Sequence, residues 1–283
     1  MYVLECEAVS GVTSIGDREF RWGERTYVMG ILNLTPDSFS ADGLAGRPDE
    51  AVGRALEMEA QGADIVDLGG ESTRPQASQV GVGEELGRVL PVLERLVGRL
   101  KVPISVDTYK AAVARGCLEA GAHMINDVWG LKRDPELARV VAERGVPVVI
   151  AANQRDEPAK GDIVAEVRAD LERGMGHALK AGVPRANIIL DPGIGFGKTV
   201  EQNLALVWRL QELKAHGRPL LLGTSRKSFI GAVLDLPVGE RLEGTAATVA
   251  IGIARGADIV RVHDVGSMVR LCRMSDAVVR VRW

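Results

Sequence analysis

Only three cysteines, Cys6, Cys117 and Cys272, occur in 283 residues, far apart and without Cys-x-x-Cys spacing. Neither a disulfide framework nor a zinc knuckle is indicated, and a reducing cytoplasm is the expected location. No apolar run reaches the roughly 20 residues that a bilayer-crossing helix needs. Glu5 and Glu7 stand where a signal peptide would carry its apolar core, so no membrane association is expected. Long basic runs are also missing. The 35 Lys and Arg are interspersed with 38 Asp and Glu for a net charge of −3, which argues against a nucleic-acid surface but leaves room for a local cationic pocket. With four histidines and no His-Glu-x-x-His, a transition metal caged by side chains is not expected. Mg²⁺ held mainly by substrate oxygens stays open.

What is present is a repeated switch from apolar to polar. Asp64-Ile65-Val66-Asp67-Leu68 runs into Gly69-Gly70-Glu71-Ser72-Thr73-Arg74-Pro75, and the same change occurs at Asn33, Asp107, Asn126, Asp191, Gly223 and Arg261. A weak repeat reinforces it: Gln61-Gly62-Ala63-Asp64-Ile65, Ala120-Gly121-Ala122-His123-Met124 and Arg255-Gly256-Ala257-Asp258-Ile259 each read as a helix end, a left-handed Gly exit and a buried strand. Helical patterns cover 49–60, 84–99, 111–120, 134–144, 162–181, 200–215 and 244–255. Strands are expected near Val28, Ile65, Ile104, Met124, Val148, Ile189, Leu221 and Ile259. Eight βα units in 283 residues, enough for a barrel of roughly 250, predict an α/β fold, a TIM (β/α)8 barrel forming one domain over 1–283. Alternation around Gly16-Asp17 predicts a hairpin within 1–25 that plugs the barrel bottom. An open doubly wound sheet is the weaker alternative.

In such a barrel the strand ends converge on one pocket. The expectation is that Asp107, Asn126 and Asp191 share one layer of hydrogen-bonding groups, suited to a planar heterocycle with amide and amino edges. Asp67 and Asp107 also fit helix capping, and for Asp67 the two readings are not separable. Lys227 can reach a ring carbonyl, or simply face solvent or anchor the next helix. His263, beside Arg261 past the last strand, stands where barrel enzymes place phosphate; His123, His177 and His216 read as structural. The run Pro192-Gly193-Ile194-Gly195-Phe196-Gly197-Lys198-Thr199 fits neither a P-loop nor G-x-G-x-x-G. It reads either as turn chemistry or as backbone that lets a flat ligand approach.

These motifs, with Asn33-Leu34-Thr35-Pro36-Asp37-Ser38-Phe39 and Ser225-Arg226-Lys227-Ser228, resemble the dihydropteroate synthase family of pterin-binding barrels over nearly the whole chain. The resemblance implies a transferase of folate biosynthesis that joins 6-hydroxymethyl-7,8-dihydropterin diphosphate to 4-aminobenzoate and is open to sulfonamides. It implies pterin binding by Asp107, Asn126, Asp191 and Lys227, a ring face covered by Arg261, and apolar packing by Phe196. Asn33 would give an oxygen to Mg²⁺, with Arg261 and His263 on the diphosphate. Asp37, Phe39, Ser72, Thr73 and Arg74 would close over the leaving group, and Ser228 would meet the aminobenzoate carboxylate at a helix N-terminus. A homodimer is the family's usual assembly, although no interface signature is visible. One departure stands out: Ala151-Ala152 replace the family's Met-His pair, leaving either an enlarged pocket or one refilled by neighbours. The rival readings are a non-catalytic pterin-binding paralogue, a methylfolate-dependent methyltransferase, and a Schiff-base lyase using Lys227.

Overall fold

A computed structural model describes residues 11–36, 43–73 and 78–280. Cys6, Asp37, Phe39 and Arg74 lie outside the described residues. Strands β1 (Val12–Ile15) and β2 (Arg18–Arg21) form the expected antiparallel hairpin. Eight parallel strands follow: β3 (Tyr27–Asn33), β4 (Ile65–Gly69), β5 (Ile104–Asp107), β6 (Met124–Asp127), β7 (Val148–Ala151), β8 (Ile188–Asp191), β9 (Leu221–Leu222) and β10 (Ile259–Val262). Neighbours in the sheet follow chain order, β10 returns to pair with β3, and a parallel bridge from Leu190 to Leu220 joins β8 to the β9 side. The barrel expectation therefore holds, and the open sheet does not.

Helices α1 (Pro48–Ala60), α2 (Val82–Leu96), α3 (Ala111–Glu119), α4 (Glu136–Arg144), α5 (Ile163–Lys180), α6 (Val200–Trp208), α7 (Ser228–Leu234), α8 (Leu242–Ala254) and α9 (Val265–Val279) connect and flank the strands. Three depart from the sequence reading. The pattern over 200–215 ends its α-helix at Trp208 and continues as a 3₁₀ segment, Leu210–His216, because Arg209 leaves helical geometry at φ −102, ψ 18. Helices α7 and α9 were not anticipated: α7 has only seven residues, whereas α9 carries its signal in Val265, Met268, Val269 and Cys272, one buried stripe at helical spacing.

Strand side chains alternate between two cores. Outward residues such as Val66, Val106, Ile125, Ile150, Leu190 and Val260 pack under the helices. Inward residues Met29, Ile65, Met124, Val149, Ile189, Leu221 and Ile259 form a separate cluster with Tyr27 and with the hairpin's Ile15, Phe20 and Trp22. The hairpin therefore seals the end where the strands begin. Its aromatics pack on Tyr27, with ring centroids 4.7 Å away for Phe20 and 5.5 Å for Trp22. Gly16 turns the hairpin at φ +56, where an added Cβ would lie 2.6 Å from the His123 ring. His123 Nδ1 accepts the Ile104 N–H at 3.0 Å, which confirms its structural reading. Among the described residues no helix is long and apolar enough to cross a membrane.

Phe20→Ala is expected to cost about 3 to 5 kcal/mol in urea unfolding, the usual range for emptying a buried aromatic site. A loss under about 1 kcal/mol would mean that the hairpin is peripheral to stability.

Candidate active site

Two residues beyond the inward apolar layer, the same barrel face becomes polar. Asp67 Oδ2 accepts from Arg261 Nε at 2.6 Å and from Asn126 Nδ2 at 2.9 Å, while Arg261 Nη2 donates to Asp107 at 2.8 Å. These bonds link strands that are not neighbours: β4 to β10 and β6, and β10 to β5. Only the barrel interior allows that. The capping readings of Asp67 and Asp107 accordingly fall, since both carboxylates are spent inside the barrel and the residue before α3 is Lys110. Burial pushes Asp107 up to about 8 against the pull of Arg261. Burial also works against the Arg261 charge, but Asp67 and Asp107 outweigh it and hold the guanidinium above its ordinary value. Below the surface, Asp67 Oδ1, Ser105 Oγ and Asn126 Oδ1 have no hydrogen-bond partner among the described residues. A polar heterocycle would meet that unmet capacity.

A cavity of about 150 Å³ opens above this network, walled by Asn33, Ser72, Thr73, Asp107, Phe196, Lys227, Ser228, Arg261 and His263 from the sequence-derived set. A second cavity of about 400 Å³ adjoins it through Glu71, Ser72, Thr73, Asp107 and Arg155. Asn126 and Asp191 do not line the first cavity and are buried beside it. Asp107 pairs with Asn126, and Asn126 with Val149, but Asp191 pairs with Ala151, two residues further along β7. The three groups are staggered in pairing register.

Asp191 Oδ1 accepts the Gly193 N–H at 2.7 Å, so one of its oxygens also orders the loop. Burial raises its pKa, opposed by Lys227. The glycine-rich run proves to be close-packed backbone: Gly193 (φ +67) and Gly197 (φ +69) press on the segment after β7, where added Cβ atoms would lie 1.7 Å from Ala152 O and 2.4 Å from Gln154 C. Lys227 passes over Gly195, donates to the Ile194 carbonyl and places Nζ 4.8 Å from the Phe196 ring centroid. Burial lowers its pKa to about 8. Lys227 is therefore partly buried and held against the loop, not free in solvent. Ser225 Oγ lies 2.9 Å from His263 Nδ1 and orients that ring.

Several contributors escaped the sequence reading. Arg155 places its guanidinium 4.8 Å from the Phe196 ring centroid and donates to the Thr73 carbonyl, a partner so distant in sequence that no local pattern could announce it. Lys110 donates to both Glu71 and Glu85, and Arg88 to Gly70 O at 2.8 Å, anchoring the chain just before Ser72. Asp67 did carry a signal, because Ile65, Asp67 and Gly69 share one strand face. Ala151 is 2% exposed and lines neither cavity, so neighbours cover the position and the pocket is not enlarged there.

Asp67→Asn keeps the shape but leaves Arg261 with one carboxylate. A loss of about 2 to 4 kcal/mol in urea unfolding is expected from weakening a buried ion network. A change below about 1 kcal/mol would show that Asp107 alone suffices for Arg261.

The model of the pterin binding enzyme family matches residues 29–263. The dihydropteroate synthase of Bacillus subtilis is 54% identical over 255 residues, covering 90% of this chain and 89% of that protein. Among solved structures, the Clostridium difficile dihydropteroate synthase in the presence of pteroic acid is 50% identical with a TM-score of 0.87, covering 92% of this chain and 98% of that one. The Xanthomonas albilineans dihydropteroate synthase with 4-aminobenzoic acid is 40% identical with a TM-score of 0.90, covering 96% and 100%. With the barrel closed, the polar strand ends gathered and likeness running along nearly all of both chains, this chain belongs to the pterin-binding enzymes and, among them, to the dihydropteroate synthase family.

Proposed function

We infer that this chain joins 6-hydroxymethyl-7,8-dihydropterin diphosphate to 4-aminobenzoate, forming dihydropteroate and pyrophosphate. The observation that carries this reading is the convergence of Asp107, Lys227, Phe196 and Arg261 on one cavity, with Asn126 and Asp191 buried beside it. The carboxylates accept N–H groups of the pterin edge, Asn126 offers both a donor and an acceptor, and Lys227 donates to the ring carbonyl. Arg261 shares Asp107 with the substrate and carries positive charge toward the diphosphate. His263, oriented by Ser225, stands on the same wall.

The reaction needs no covalent nucleophile. The exocyclic methylene C–O bond breaks with its electron pair passing to the diphosphate, and the electron-rich ring stabilises the resulting cation. The amine lone pair of aminobenzoate forms the new C–N bond and the nitrogen then gives up a proton. Arg261 and His263 neutralise charge on the leaving oxygen, the main electrostatic contribution from the chain itself. Arg155, Phe196, Ser72 and Thr73 narrow the cavity and limit access of water to the cation. Ser228, first residue of α7, faces the cavity as an anchor for the aminobenzoate carboxylate.

A Mg²⁺ ion held mainly by diphosphate oxygens would find the Asn33 amide on the cavity wall as a protein ligand. Bound there, Mg²⁺ would add charge stabilisation at the leaving oxygen. Sulfonamides would compete with aminobenzoate. A homodimer would have an apolar face available in Leu204, Trp208, Val233, Leu234 and Ile251 on α6, α7 and α8. The buried, unpaired Cys117 and Cys272 suit a cytoplasmic enzyme.

The alternatives lose ground. Likeness to synthases along the full chain disfavours a methylfolate-dependent methyltransferase. The same likeness disfavours a Schiff-base lyase using Lys227. Pyrophosphate release that requires both substrates separates the enzyme from a non-catalytic paralogue, and its absence would sink the catalytic reading.

Asp191→Asn can keep its oxygen toward the Gly193 N–H, which turns the amide nitrogen toward the pterin's own donors. Pterin affinity is expected to fall about 30-fold to 1000-fold, equivalent to about 2 to 4 kcal/mol. Because burial raises the Asp191 pKa, wild-type affinity should weaken on acidification above the ordinary aspartate range, and the variant should lose the Asp191 share of that limb while keeping the share of Asp107. Calorimetric titration across pH checks both, and a variant within about threefold of the parent would defeat the assignment. Asn33→Ala should reduce Mg²⁺-dependent turnover more than pterin binding; unchanged magnesium dependence would remove Asn33 from the site.

A further inference from the structure

Lys198 closes the glycine-rich run, and the mechanism above does not use it. Its ammonium lies beneath the loop and donates to three backbone carbonyls, Ala152 at 3.0 Å, Gly193 at 2.7 Å and Phe196 at 3.2 Å. A part-buried ammonium whose hydrogen bonds all go to neutral carbonyls gives up hydration that an apolar side chain of the same length would not. Stability alone does not account for a lysine here.

The acceptors belong to two segments of the cavity region: Ala152 directly follows β7, and Gly193 and Phe196 lie in the loop after β8. The peptide groups on both sides of the Gly193 Cα are held. Its N–H is bound to Asp191 Oδ1 at 2.7 Å, and its carbonyl to Lys198 Nζ. Phe196 is caught twice more, its N–H by Gly193 O at 3.1 Å and its carbonyl by Gln154 N–H at 3.2 Å. Gly193 leaves little freedom of its own, since an added Cβ would lie 1.7 Å from Ala152 O and 3.2 Å from Lys198 Nζ. One step in either direction from this lysine therefore reaches the carboxylate assigned to the pterin edge and the ring on the cavity wall.

We propose that Lys198 is a positioning residue for pterin recognition: by gathering the carbonyls of Ala152, Gly193 and Phe196 it fixes the orientation of the Asp191 carboxylate and the Phe196 ring. This rests on the pterin reading of the cavity. Its electrical surroundings fit the role, with Asp191 and Asp170 favouring the charge and Lys227 and Lys132 opposing it. Burial is the largest influence and lowers the pKa to about 7. A neutral amine has two protons to share among the three carbonyls, so the full set of contacts belongs to the charged form.

The test is a double-mutant cycle on the full chain, titrating 6-hydroxymethylpterin by calorimetry into the wild type, Lys198→Met, Asp191→Asn and the double variant, with melting temperatures recorded on the same preparations. Lys198→Met is expected to weaken binding at least about tenfold in the wild-type background and less than about threefold once Asp191 is already asparagine, because most of the effect runs through the carboxylate and only the smaller remainder through the Phe196 ring. A lysine that serves folding alone would lower the melting temperature and leave affinity within about threefold; that result, or two losses that simply multiply, overturns the proposal. Should Lys198→Met fail to fold, Lys198→Arg takes its place under the same criteria, because a planar guanidinium cannot converge on the three carbonyls from one nitrogen. A wild type that binds no pterin would overturn both this proposal and the functional reading, whereas normal wild-type binding with an unaffected variant would overturn the role of Lys198 alone.

Discussion

The guanidinium of Arg261, held between Asp67 and Asp107 across the barrel interior, is the interaction on which the rest of the site depends. It joins the last strand to the second and third of the barrel, so it exists only when the sheet has curled far enough for non-neighbouring strands to face each other. Asn126 is tied to the same Asp67 oxygen and inherits its orientation from that closure. Such a network is a poor source of stability, since burying charge opposes the attraction between the partners. It supplies instead a rigid polar floor. Asp67 Oδ1, Ser105 Oγ and Asn126 Oδ1, without a partner among the described residues, leave buried hydrogen-bonding capacity that the fold itself does not use.

That floor is tolerable because the opposite end of the barrel is apolar and sealed. Ile15, Phe20 and Trp22 from the hairpin complete the cluster of inward residues at the strand starts, so the strands are held together below the level where their side chains become polar. The division is characteristic of the architecture: cohesion at the end where strands begin, chemistry where they finish. The outer helices bury the other strand face and leave the inner positions free to change character within two residues.

The walls of the cavity are built from backbone as much as from side chains. Gly193 and Gly197 let the loop after β8 lie directly on the segment after β7, and Lys198 links their carbonyls. The same packing explains how Ala151 and Ala152 coexist with a formed cavity: both are buried, and the Ala152 backbone bonds to Asp191 O and to Lys198. Across the mouth, Arg155 reaches the Thr73 carbonyl while lying over Phe196, so the short segment before residue 74 is referenced to the same wall.

The sequence by itself determined the alternation of strands and helices, the eight strand positions, and the polar residue types waiting at the strand ends. Those features follow from short-range periodicity, turn-forming glycines and an abrupt change in polarity, all readable within a dozen residues. It also carried the motifs by which the family could be recognised. The tertiary structure decided what those residues do to one another. Asp67, ambiguous between a cap and a site residue, was resolved by partners on β6 and β10. Asp191 was shown to stand two residues off the register of Asn126, a stagger set by how the strands pair. Lys198 reaches the Ala152 carbonyl and Arg155 the Thr73 carbonyl, each on another loop, and a carbonyl looks the same whatever residue bears it, so the sequence holds no trace of such a contact until the chain has closed.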